Sequence, residues 1–230
     1  MEKKPHSRAL QGAPLTDEDQ DPMRDASPQP LGVEEATPAH VRAAWLTRAE
    51  VLHSTYIETV IEAGDFCPWA RGARIAQRSR VHALWLEALP EFIRTLPNDG
   101  ALEVWQIVVP DAHSSAMQWR EYVATLERHL RRAGVNLPWA FAAFHPNHPG
   151  RPESIGGAIG ILRRSPLPAL QLVHLDVLAR IRRHSGEIVE SLAQRNRQKL
   201  LAPDDHALAK SHAELLAAGE LLRLNCGVRE

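Results

Sequence analysis

Disulfide potential is nearly absent: only two cysteines, Cys67 and Cys226, occur in 230 residues. Two thiols so far apart make no disulfide framework, and reduced thiols in a cytosol are the expectation. Long apolar runs are missing too, with nothing approaching the roughly 18–20 continuous residues of a membrane helix. The start, Met1-Glu-Lys-Lys-Pro-His6, leads into polar sequence rather than the apolar stretch of a secretory signal. A cytoplasmic protein without a membrane partner is expected. Charge of one sign is also lacking: 27 Lys and Arg stand against 28 Asp and Glu, giving a net charge of -1. Such a balance offers no basic field to draw nucleic acid, so no nucleic-acid partner is expected.

What is present is enough apolar residue, 44%, for one domain with a real core. Residues 1–36 are rich in Pro, Gln, Asp and Glu and bury too little to offset their ordering entropy, so they read as a disordered tail. Residues 37–230 read as a single α+β domain, a small mixed sheet covered by helices. Thr37-Pro38 opens a helix over 38–63 on the spacing of Val41, Ala44, Trp45, Leu52, Tyr56, Val60 and Ala63, with Gly64 as its left-handed stop. A second helix is predicted over 82–95, a strand over 103–109, a helix over 116–133 and a strand over 137–144. A long loop, 146–163, precedes a strand over 169–173, and helices follow over 175–195 and 204–222. Because the last strand follows a loop rather than a crossover helix, a mixed sheet is expected.

Three segments carry chemistry. Cys67 precedes Pro68-Trp69-Ala70-Arg71; if Pro68 opens a short helix, Cys67 is its N-cap, and the helix dipole with Arg71 favours a thiolate. Cys67 can equally be a small buried hydrophobe. His145 ends a strand just before the long loop, where a base or ligand is often placed, or where a histidine simply bonds the loop backbone. With His148 it makes an H-x-x-H pair, so Cys67, His145 and His148, with His174 in reserve, are the candidate ligands of a transition metal such as zinc. Arg164 could clamp a carboxylate or phosphate, and Ser165 beside it suits a turn better than a nucleophile. Trp69, Arg71 and Ser165 are the candidate substrate contacts.

Phe66-Cys67-Pro68-Trp69-Ala70, Phe144-His145-Pro146 and Arg164-Ser165-Pro166-Leu167-Pro168 together resemble an uncharacterised bacterial family, number 1415 in the series of domains of unknown function. Its members look like Leu-Cys-Pro-Phe-Ala, Phe-His-Pro and Arg-Ser-Pro-Tyr-Pro in the same order, and the likeness covers about residues 40 to 200. Leu167 departs from the family's Tyr, and Gln171 stands where a His commonly follows. The resemblance implies neighbours, and it implies no reaction.

Three remaining features read blandly. Gly156-Gly-Ala-Ile-Gly160 lacks the phosphate-loop pattern and precedes a strand. Arg180, Arg182, Arg183, His184, Arg195 and Arg197, interleaved with Glu187 and Glu190, read as a solvated helix face. Trp45, Trp85, Trp105 and Trp139 read as core. Two functions follow. One is a small-molecule enzyme with Cys67 as nucleophile or redox thiol, His145 as base or ligand and Arg164 as anion clamp. The alternative is a non-catalytic binding or accessory protein, with a protein partner of unknown kind engaged through the 146–163 loop.

Overall fold

The computed structural model describes residues 38–97, 100–112, 115–184, 188–202 and 206–225, and the expected tail over 1–36 lies outside them. The described residues belong to one unit, Thr37–Glu230, an α+β fold built on a four-stranded mixed sheet. Strands β1 (Ser79–Ala83), β2 (Val104–Val108), β3 (Trp139–Phe144) and β4 (Ala169–His174) lie in the order β1-β2-β4-β3. β1 pairs parallel with β2, while β4 runs antiparallel to both β2 and β3. The strand following the 146–163 segment is therefore the one that makes the sheet mixed.

Strand period 2 sorts the side chains between two faces. Ile107, Leu170, Leu172, Trp139 and Ala143 pack with α3 (Leu89–Thr95) and α4 (Ala116–Arg132), whose Trp119, Val123, Leu126 and Leu130 recur at helical spacing. On the other face, Ala83, Val108 and Ala169 pack with Ala49, Leu46 and Leu52 of α1 (Ala39–Tyr56) and Leu222 of α8 (His206–Asn225). That second core covers only the end of the sheet where β1, β2 and β3 finish. Toward the other end Val81, Val104, Gln171 and Val173 are only half buried.

The first helix continues from α1 as a π-helical segment, Ile57–Glu62, close to its expected length. Its stop is different. Asp65, not Gly64, takes the left-handed conformation (φ 47°). Gly64 is needed because Phe66 folds back on it: a Cβ there would sit 2.5 Å from the Phe66 ring and 2.7 Å from the Val60 oxygen. Helix α7 (Ile188–Leu201) clamps this turn, with Lys199 Nζ donating to the Gly64 oxygen at 2.9 Å and Asn196 Nδ2 to the Phe66 oxygen at 2.8 Å.

Three other expectations change. The helix expected over 82–95 begins as strand β1, followed by a 3-10 turn (Leu86–Ala88) and then α3. Pro90 falls at the first turn of α3, where its missing N–H costs nothing, and a helix running through it from 82 would be broken. The 146–163 loop contains α5 (Ile155–Leu162), capped by Ser154, whose Oγ accepts from the Gly157 N–H at 3.0 Å. Its glycines serve the chain's own backbone: a Cβ on Gly157 would lie 2.0 Å from the Arg151 oxygen, and one on Gly160 2.1 Å from the Pro149 oxygen. Finally, Trp139 is core and Trp105 packs against it, but Trp45 and Trp85 are half buried and contact each other edge-on, with Arg42 over the Trp85 ring.

Three of the late basic residues, Arg180, Arg195 and Arg197, are part-exposed and also serve as tethers. Arg180, on α6 (Leu175–His184), binds Glu103, Arg195 binds Asp65, and Arg197 donates to the Pro152 and Glu153 oxygens. None of the described helices is long and apolar enough to cross a membrane.

Candidate functional site

The half-covered end of the sheet is the floor of a cavity of about 970 Å³. Val104 and Gln106 of β2, Gln171 and Val173 of β4, and Ser79 and Val81 of β1 make the floor. The walls are α1 with its π-helical continuation, α2 (Ala70–Ile75), and Val177, Leu178 and Ile181 of α6. π-helical turns occur often at functional sites, and here Ile57, Glu58, Thr59 and Ile61 all border the space. Trp69 stands at the rim, 37% exposed. A smaller adjoining cavity, about 380 Å³, shares Trp69, Ala73 and Glu103 and adds Arg78 and Arg180.

Apart from Arg80 of β1, which is exposed and in no ion pair among the described residues, the charged groups along these walls are matched among themselves. Glu103 accepts from Arg78 and Arg180, Arg74 pairs with Glu62 and Glu58, and Glu50 takes His82 Nδ1 at 3.0 Å and the Ala83 N–H at 2.8 Å. Two neutral polar side chains here are not. Gln106 Oε1 is buried without a hydrogen-bond partner, and so are both ring nitrogens of His53, which is fully buried on the α1 stripe Ala49–His53–Tyr56. His53 lies against Gln106, yet no well-formed hydrogen bond joins them. Burial holds the His53 pKa down at about 4, against a smaller opposing pull from Gln106, so the ring is neutral at pH 7. Its neighbour Tyr56 donates its hydroxyl to the Leu162 oxygen at 2.8 Å, and burial pushes that phenol up.

Cys67 lines this cavity, but not as a helix cap. The short helix begins at Ala70 with Trp69 at its cap position. Burial pushes the Cys67 thiol up, outweighing the Trp69 and Ala70 N–H groups that favour the thiolate, and Asp65 and Glu62 push the same way as burial. Arg71 is exposed on α2.

His145 and Arg164 lie elsewhere. His145 follows Phe144, which is in register with Ala169, itself paired with Val108, so it marks the far end of the sheet from Val104 and Val173. Four residues of strand separate the two ends, roughly 13 Å at 3.3 Å per residue. Cys67 and His145 therefore do not share a site. At the far end the motif residues bind one another. The His145 N–H donates to the Arg163 oxygen and its Nδ1 accepts from the Asn147 N–H, both at 3.0 Å. Arg164 Nε and Nη2 donate to the His148 and Gly150 oxygens at 2.9 and 3.0 Å, so the expected anion clamp holds backbone instead. Ser165 is fully buried and donates to the Leu167 oxygen.

His148 Nδ1 lies 2.9 Å from the Pro149 oxygen, which can only accept, so Nδ1 carries the proton and the buried Nε2 is left without a partner. Burial holds its pKa below the ordinary value, opposed by the bond to Pro149 and assisted by Arg163, Arg120 and Arg164. His174 lies on the opposite face from the cavity floor, against the Trp139 ring. No group of three or more His, Cys, Asp or Glu able to hold a metal ion occurs among the described residues. The zinc set of Cys67, His145 and His148 is divided between the two ends of the sheet.

Sequence reasoning passed over Gln106 on the cavity floor and His53 beside it. The signal was there: His53 interrupts an apolar helix stripe, and Gln106 sits in Val-Trp-Gln-Ile-Val, apolar on both sides. No protein-family model, curated protein or solved structure matches the chain.

Proposed function

We propose that the chain is a binding protein for a small, largely apolar molecule, held in the cavity between the sheet and α1. One observation carries this reading: the buried Oε1 of Gln106, without a well-formed hydrogen bond, lies on the floor of a cavity of about 970 Å³ whose surface is mainly apolar. Small-molecule sites fall at roughly 300–1,000 Å³ and are lined by apolar groups with a few convergent polar ones. The likeness to the family of unknown function, carried by the Cys67, His145 and Arg164 segments, adds no reaction to it.

Catalysis by a Cys67–His145 relay draws no support from the geometry, because a nucleophile and its base must lie within hydrogen-bond reach. Engagement of a partner through 146–163 is likewise unsupported, since that segment packs its own backbone into α5.

The test is titration with the neutral fluorophore N-phenyl-1-naphthylamine against the native chain and Val173→Trp, which fills the floor. Saturable one-to-one binding, lost in the variant, supports the proposal. Binding of equal strength in both chains removes it.

A further inference from the structure

A second set of unsatisfied groups lies at the far end of the sheet, away from the cavity. There the His145 N–H bonds the Arg163 oxygen and the His148 N–H bonds the His145 oxygen at 2.9 Å, so His148 and Arg163 sit beside the end of β3. Trp119 of α4 donates its Nε1–H to the Ala169 oxygen at 3.2 Å, and Ala169 is in register with Phe144, the last residue of β3. The first turn of α4 and Arg120, the residue after Trp119, are thereby brought to the same end.

Three polar groups here lack a partner among the described residues. Arg163 is half-buried, Arg120 is exposed, and neither guanidinium has a hydrogen bond or ion pair. Burial lowers the Arg163 pKa and Arg120 lowers it further, with no described carboxylate acting in the opposite sense. His148 is 6% exposed, its Nδ1–H is spent on the Pro149 oxygen, and its Nε2 is the third group. That ring lies in the field of Arg163, Arg120 and Arg164, again with no described carboxylate. The α4 N-terminus adds positive potential, since Ser115 makes no side-chain cap bond and no acidic residue stands in the first turn. Arg164, by contrast, is engaged, and its bonds to the His148 and Gly150 oxygens fix the loop that carries the histidine.

Two cations side by side, one of them partly desolvated, are costly without a counter-charge. An oxyanion supplies it, because guanidinium groups bind such oxygens in bidentate fashion. The neutral Nε2 narrows the choice. It carries a lone pair and no proton, so it repels a fully ionised oxygen and accepts from a hydroxyl. Carboxylate and sulfate have no proton to give near neutral pH. Inorganic phosphate and the monoanion of a phosphomonoester keep a P–OH. Both guanidiniums are on long side chains that no partner holds, so they can shift as the group enters.

We propose that this end of the sheet is a phosphate site, separate from the cavity, which takes inorganic phosphate or the terminal phosphate of a monoester. Arg163 and Arg120 hold the charged oxygens, and the P–OH donates to His148 Nε2.

Calorimetric titration at about pH 6, where a phosphomonoester keeps its second proton on about half of its molecules, compares inorganic phosphate, phenyl phosphate and sulfate. The native protein should bind inorganic phosphate one-to-one and about tenfold more tightly than sulfate, one hydrogen bond's worth. Phenyl phosphate bound as tightly as inorganic phosphate assigns the site to a monoester, and phenyl phosphate bound about tenfold more weakly assigns it to the free anion. His148→Asn, which keeps a donor for the Pro149 oxygen and loses Nε2, should bring phosphate and sulfate to within about twofold. Arg163→Met should weaken both anions about tenfold, and Arg120→Met, at an exposed position, serves if Arg163→Met does not fold. The absence of saturable phosphate binding to the native protein overturns the proposal. So does phosphate bound no better than sulfate, or bound equally well by the native chain and the arginine variants.

Discussion

Gln106 of β2 and Gln171 of β4 are cross-strand partners in the antiparallel pair at the centre of the sheet, and both face the cavity between the sheet and α1. Central strands are where a fold least tolerates a half-satisfied amide, since leaving such a group unpaired costs roughly 1–3 kcal/mol. Two amides side by side at that position, with His53 unpartnered above Gln106, make a polar spot that packing alone does not require.

His53 gives the first prediction, a dependence of stability on pH. The unfolded chain takes up a proton near 6.5, whereas the folded chain holds this ring neutral down to about 4. Between those values the unfolded state binds more protons, so stability is complete above about 6.5 and falls as pH drops toward 4, by roughly 3 kcal/mol at the lower limit. His148 and His212 are lowered in the same direction and add to the trend. Urea unfolding of His53→Leu should show a flatter slope over this range than the native chain. Identical slopes would mean that His53 is not held neutral.

Two alanine substitutions in α5 should act in opposite directions. Nothing lies within 4 Å of a Cβ added at Gly156, so Gly156→Ala should stabilise by up to about 1 kcal/mol through helix propensity. Gly160→Ala drives its methyl against the Pro149 oxygen and should destabilise by roughly 1–3 kcal/mol. Thermal unfolding of the pair checks both signs at once.

Arg164→Ala should destabilise by roughly 1.5–3 kcal/mol, the worth of charge-assisted bonds to the His148 and Gly150 oxygens. Arg164→Lys should recover little, because an ammonium lacks the planar fork that reaches two carbonyls. Probe binding in the cavity should be unchanged in both. A loss of binding with unaltered stability would return Arg164 to the role of an anion clamp.

The Cys67 thiol should be sluggish at neutral pH. In a Cys226→Ser background its reaction with Ellman's reagent should still be rising at the ordinary thiol pKa, since burial favours the protonated form. A rate that levels off near pH 7 would identify an activated thiolate.

How much of this could be read beforehand depended on how local the cause was. The first helix, α4, and strands β2, β3 and β4 follow from apolar periodicity within a dozen residues, and all were legible. β1 was not, because Ser-Arg-Val-His-Ala is a short edge strand stabilised by partners far along the chain, β2 and Glu50. α5 was hidden by its glycines, which lower helix propensity and are retained for contacts with residues 149–151. Cys67, His145 and Arg164 stood out because their residue types are reactive, yet whether they meet depends on strand register. Register sends Cys67 to one end of the sheet and the other two to the opposite end. The neutral amides that mark the cavity are chemically quiet, and only their burial distinguishes them.

The most direct test of the cavity as a binding site is the rate of Cys67 alkylation by N-ethylmaleimide in Cys226→Ser, with and without saturating N-phenyl-1-naphthylamine. Cys67 lines the cavity, so an occupied cavity should slow its modification at least tenfold, with half-protection at the probe's own dissociation constant. A probe that saturates the protein and leaves the alkylation rate unchanged binds elsewhere, and the account of this cavity would be contradicted.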